Sequence, residues 1–277
     1  GRNIYAHRIV SMVATLFLLG TVFRVLVHQI KDRVLAVAGT ALFAAAPGFL
    51  LQASLATAEI ISTTVFLLGI LYWIQFASRS LPHALLGGAI LGLACATRMN
   101  CLSMLPAIVV WSMFFQRDWS ARIFYPIVGI SMAALVFVGC QAAYFYSFDD
   151  SSLSSLAFVS KSAGVGQSYP GFIIRLNYLL VGDGIIQSAA IVGLGAFGWA
   201  KFQAGKIDRR QIEITTFLFL AGCSGWLAWL LKSPIPHLRY LWPAIPFLWL
   251  GTIIILLSQL KEIAHRKQLA TAHLAII

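Results

Sequence analysis

Hydrophobic residues in this chain come in continuous runs, and polar residues collect in the short stretches between them. Nine runs stand out: Ile9–Val27, Val34–Leu51, Ile60–Phe76, Leu85–Thr97, Leu102–Phe115, Ile123–Phe145, Gly184–Trp199, Ile214–Leu231 and Tyr240–Leu260. They do not alternate apolar and polar positions with a period of two, which argues against a β-barrel. Most are close to the ~20 residues with which an α-helix crosses the ~30 Å hydrocarbon core. The pattern predicts an all-α, polytopic integral membrane protein with about nine transmembrane helices in one domain, residues 1–267, and a short tail at 268–277. The fourth and fifth runs are short. They are expected to be tilted, broken or jointly packed, with Gly87, Gly88 and Gly92 permitting close approach. No internal repeat is evident, so an inverted-repeat transporter is not supported.

Composition agrees. The chain is 60% hydrophobic and 10% charged, where soluble domains carry about 25% charge. The net charge of +11 does not point to nucleic acid, because Lys and Arg cluster in alternate loops as orientation signals do. One set of loops holds twelve: Lys31, Arg33, Arg79, Arg117, Arg122, Lys201, Lys206, Arg209, Arg210, Lys261, Arg266 and Lys267. The other holds seven: Arg2, Arg8, Arg98, Lys161, Arg175, Lys232 and Arg239. The richer set is expected in the cytoplasm, with the N-terminal end outside and the C-terminal end inside. Arg24, near the cytoplasmic end of the first helix, is expected to snorkel. Cys95, Cys101, Cys140 and Cys223 lack metal-ligand spacing and read as small core residues. The chain starts at Gly1, without Met or a signal-peptide pattern, and reads as a fragment whose upstream part is missing. Its short polar loops lean towards a bacterial inner membrane.

Candidate chemistry gathers on the outer face. Gln52–Glu59 forms the tip of a hairpin between two apolar runs, with Pro47 and Gly48 loosening the helix before it. Glu59 is the last residue before the chain re-enters apolar sequence. A carboxylate there either snorkels and caps the next helix or has a partner or a task. Arg98 ends one apolar segment just before the next begins. In Ser233–Leu250, Pro234 and Pro236 stiffen an extended approach, and His237 and Arg239 stand at the membrane surface. Pro243 and Pro246 follow in the first turns of a helix. Arg239 and His237 are two donors at the depth of a lipid phosphate, and a guanidinium fork suits phosphate oxygens. The alternative is plain snorkelling to headgroups. The longest outer loop, 146–172, carries Asp149 and Asp150, which are either substrate-loop residues or solvated loop acids. Asp183 reads as a helix cap.

Four stretches together resemble the polytopic glycosyltransferases of the GT-C fold, which take sugar from a polyprenyl-phosphate carrier. They are Ala6–Val25, Ala46–Ile60, Leu85–Trp111 and His237–Leu250. The nearest branch is that of protein O-mannosyltransferases and aminoarabinose-transferase-like proteins. The resemblance spans roughly residues 6–258. It implies a GT-C-like helical fold and a sugar transfer on the periplasmic or lumenal face to a protein, lipid or glycan acceptor. Arg239, His237, Arg98 and Arg8 would then hold the lipid phosphate, and Glu59 would orient the acceptor or a base, or bind a divalent cation. No other cofactor is implied. Such a transfer needs a carboxylate near the acceptor and cations at the departing phosphate. The sequence departs from the family in four places, one being that no periplasmic or lumenal C-terminal domain is expected after the helices. It begins downstream of where the first-loop catalytic acid would lie. It carries Glu59 where the family often has Asp, and Arg98 where that branch often has Lys. Two other classes stay open: a non-catalytic membrane scaffold, and a lipid or solute transporter. The transporter is disfavoured by helix centres almost free of charge, where Gln187 and Ser188 are among the few polar residues.

Overall fold

In a computed structural model of the chain, the described residues are 4–46, 49, 58–77, 79–147, 198, 209–232 and 244–274. Among them every regular element is helical. Helix α1 (Ile4–Ile30) leads through a two-residue turn into α2 (Arg33–Ala44). Helix α3 (Ala58–Tyr72) widens into a π-helical turn at Trp73–Ala77. Helix α4 (Leu81–Thr97) gives way to a 3-10 segment at Met99–Met104, and α5 (Pro106–Phe115) follows. A second π-helical turn at Ser120–Phe124 opens α6 (Tyr125–Ser147). Helices α7 (Arg209–Lys232) and α8 (Ile245–Leu274) complete the described bundle.

Among the described residues, five helices are long and apolar enough to cross a membrane: Arg8–Ile30, Ala58–Ala77, Ser120–Tyr144, Arg209–Leu231 and Ile245–Ala264. This is the architecture of an all-α membrane protein. Three other expected spans are shorter. In the second run, Val34–Leu51, α2 spans 12 residues, about 18 Å; Phe49 is helical again, and residues 47, 48, 50 and 51 lie outside the described residues. The fourth and fifth runs form α4 and α5, of 17 and 10 residues. The seventh run lies outside the described residues except for Gly198, as do Asp183, Gln187 and Ser188. Helix α8 continues to Leu274, so residues 268–274 of the expected tail are helical.

The helices hold together through one apolar core and several small-residue contacts. Leu18, Val22 and Leu26 on α1, Phe66 and Ile70 on α3, and Ile253 and Ile254 on α8 are fully buried in it. The tightest seam joins α4 to α6. A Cβ on Gly88 would collide with the backbone of Gly129, and one on Gly92 would lie 2.6 Å from the Ala133 carbonyl oxygen. Gly88 and Gly92 are four apart on α4, as Gly129 and Ala133 are on α6, so small residues one turn apart let two backbones touch. Gly87 permits a close approach too, to Trp73 and Ala77 in the π-helical turn after α3. The matched pairs ascend together in sequence, so α4 and α6 run parallel, and α5 is the return segment that links them along the chain. The outer faces stay apolar: Leu16 and Phe17 on α1 are 69% and 66% exposed, and Leu135 on α6 is 68% exposed. Hydrocarbon is the solvent such a surface fits. Cys95 and Cys101 are buried as expected, but Cys140 is half-buried and Cys223 is exposed. The last two occupy perimeter positions, where a small apolar side chain is as well solvated by lipid as by protein.

The two ends of the bundle differ. The end where α1 meets α2 is fastened by polar contacts. Asp32 caps α2, its carboxylate accepting from the amides of Val34 at 2.9 Å and Leu35 at 3.1 Å. The Lys261 ammonium on α8 donates to the Ile30 carbonyl at 2.6 Å, at the C-terminus of α1 where a cation is favoured. Lys31, Arg33, Arg79, Arg117, Arg122, Arg209 and Arg210 also lie at this end. The opposite end carries Glu59 and Arg98.

Candidate functional site

The site is built from the start of α3 and the end of α4. Glu59 is the second residue of α3, where the helix dipole favours an acid. Arg98 is the C-cap of α4, with φ −147° and ψ 110°. That extended backbone stops the α-helix. The amide of Arg98 still donates to Ala94 O at 3.0 Å, and its own carbonyl accepts from the amide of Cys101 at 3.0 Å, which starts the 3-10 turn. Pro106 then restarts the chain at the first position of α5, where its missing N–H leaves nothing unpaired.

Arg98 and Glu59 meet in an ion pair between Nη2 and Oε1, with side-chain exposures of 27% and 4%. The carboxylate is therefore buried. It does not snorkel to water, because α3 begins inside the packed bundle with Glu59 turned towards α4. Around the pair lies a polar lining that the sequence reading did not single out. The Ser62 hydroxyl donates to the Glu59 carbonyl at 2.9 Å. The buried Cys101 thiol lies within hydrogen-bond reach of Ser62 and near the Arg98 charge. The Thr64 hydroxyl donates to Ile60 O at 2.7 Å and lies 3.4 Å from Ala14 O on α1. Thr63 Oγ1 is buried with no hydrogen-bond partner among the described residues. The signal available in the sequence was a run of hydroxyls, Ser62-Thr63-Thr64, one turn after an acid.

The remaining expected site residues fall elsewhere. Arg8 is exposed on α1, at the same end of the bundle as Glu59. His237, Arg239, Asp149 and Asp150 lie outside the described residues, as do Pro234, Pro236 and Pro243. Pro246 stands in the first turn of α8, as expected. Among the described residues, no group of three or more His, Cys, Asp or Glu side chains is placed to hold a metal ion.

The arrangement has definite chemical capacity. A buried carboxylate fixes the orientation of the guanidinium that it contacts. A guanidinium has five N–H donors in a planar fork, enough to serve a carboxylate and a phosphate oxygen together. No family model matches the chain, and no curated protein or solved structure matches it.

Proposed function

We propose that this protein is a membrane glycosyltransferase that moves a sugar from a polyprenyl-phosphate carrier to a protein, lipid or glycan acceptor. The observation that carries the reading is the buried Glu59–Arg98 pair, at the end of the bundle away from the basic cluster. Burial of such a pair is weak evidence for stability, since apolar residues of similar volume often do as well. A task at the site explains its presence better.

In this reading the bundle is GT-C-like with about nine spans, and the Glu59–Arg98 end faces the periplasm or a lumen. The basic end faces the cytoplasm, by the rule that Lys and Arg stay inside. The acceptor oxygen or nitrogen attacks the sugar C1. The C1–O bond to phosphate breaks, its electron pair stays on the carrier phosphate, and the acceptor proton passes to a carboxylate. Arg98, set by Glu59, stabilises the departing phosphate, with Arg239, His237 and Arg8 as further holders. Glu59 also serves to orient the acceptor or a base, or to bind a divalent cation.

A second reading is favoured by the same contact. Two charges that neutralise each other across α3 and α4 also make a structural tie, as a non-catalytic membrane scaffold would use. One experiment separates the two. The chain is placed in proteoliposomes with a panel of polyprenyl-phosphate hexoses and pentoses and a panel of acceptor peptides, lipids and glycans, and released polyprenyl phosphate is measured by mass spectrometry. The enzyme reading expects chain-dependent release that falls at least a hundredfold in Arg98→Lys, which keeps the charge and loses the fork. No release from folded protein, or equal release by Arg98→Lys, supports the tie.

A further inference from the structure

A cleft of about 710 Å³ opens between α1, α3 and α7 at the basic end of the bundle, far from Glu59 and Arg98. Its lining divides along its length. Leu16 and Gly20 on α1 and Leu68 on α3 form an apolar half, while Arg24 and Arg210, with the His28 ring beside them, form a polar half that carries two cations. Among the described residues that line it, there is no carboxylate.

We propose that this cleft is a binding site for one anionic phospholipid of the surrounding bilayer. Its phosphate sits between Arg24 and Arg210, and an acyl chain lies along Gly20, Leu16 and Leu68. Three features support this occupant. Two guanidinium groups in the lining, those of Arg24 and Arg210, complement a phosphodiester, whose oxygens a guanidinium fork can grip. The apolar half opens on the bundle's perimeter, since Leu16 and Leu68 are exposed, so an occupant arrives sideways from the hydrocarbon. The distances fit as well. Leu16 to Arg24 is eight residues of helix, about 12 Å, most of the ~15 Å that one leaflet contributes to the hydrocarbon core. Arg24 lies six residues, about 9 Å, before the end of α1, within reach of the headgroup layer for a long side chain.

Gly20 is the key position. A Cβ there would have no heavy atom within 4 Å. The Cβ of a larger side chain is therefore accommodated there, a leucine extends into the cleft, and it favours the helix more than glycine does. Arg24 is exposed, so its replacement leaves the packing intact.

The test uses the full chain in nanodiscs of phosphatidylglycerol and phosphatidylcholine in equal parts. The particles are released into mild detergent, and bound lipid is read by native mass spectrometry. The wild type is expected to retain one phosphatidylglycerol per chain, enriched about tenfold or more over phosphatidylcholine, as two surface cations would give. Gly20→Leu removes the bound lipid. Arg24→Gln removes the preference, and Arg24→Lys keeps most of it. Equal retention of the two lipids by the wild type overturns the proposal. So does unchanged retention in Gly20→Leu and Arg24→Gln that elute and melt as the wild type does. So does a lipid-free dimer that closes the cleft with a second copy.

Discussion

An ion pair at one end of the bundle joins two helices, and an ion pair at the other stays within one. Glu59 and Arg98 link α3 to α4 with side-chain exposures of 4% and 27%. Arg209 and Glu213 sit one turn apart on α7, 3.4 Å from each other, with exposures of 64% and 24%. The residue chemistry is nearly the same, and the environment sets the difference. Breaking a buried pair strands a charge that water cannot reach, whereas breaking an exposed pair returns both groups to solvent. The basic end thus holds together through many small contacts, and the opposite end concentrates its polar chemistry in one place.

The comparison breaks most visibly at the buried pair. Arg98→Ala leaves Glu59 uncompensated and is expected to destabilise the protein by about 3–5 kcal/mol. Thermal unfolding in detergent measures it. Glu59→Gln combined with Arg98→Gln should recover a large part of the loss, because no charge is then stranded. If the single and double variants are additive, the two residues are not a pair. Next in size is the seam that carries α4 past α6. Gly88→Ala drives a methyl into the Gly129 backbone and should cost about 1–3 kcal/mol. An unchanged melting temperature would mean that the helices do not touch there.

The basic end should respond weakly to single changes. Asp32→Ala removes the α2 cap and is expected to cost about 1 kcal/mol, seen as a small downward shift in the same unfolding assay. Arg209→Ala should cost no more than about 0.5 kcal/mol. An effect at Arg209 as large as that at Arg98 would erase the contrast between the ends.

Much of this was legible in the sequence, in parts. Apolar runs mark helices, so all-α membrane character follows from them. They do not give helix length, because the run that starts at Val34 carries no charge as far as Leu51 while α2 ends at Ala44, just short of Pro47 and Gly48. The glycines of α4 announced a close contact. Their partners on α6 did not stand out, since Gly129 and Ala133 look ordinary within an apolar run. Glu59 and Arg98 were each conspicuous as a charge at the edge of such a run. Their pairing was not, because it depends on how α3 lies against α4, which a linear pattern does not encode. For the same reason Arg24 looked like a snorkelling residue. Arg210 on α7 lines the same cleft as Arg24 on α1, a placement that no linear pattern encodes.

The central claim is that the Glu59–Arg98 end recognises a carrier phosphate. The most direct measurement is binding of polyprenyl phosphate to purified protein by native mass spectrometry, in competition with excess phosphatidylglycerol. Wild type and the Gly20→Leu variant, whose α1 cleft is filled, should both retain polyprenyl phosphate. The variant with Glu59→Gln and Arg98→Gln should lose it while melting cooperatively. Retention by that double variant, or no retention by the wild type, contradicts the account and leaves the buried pair as a tie between two helices.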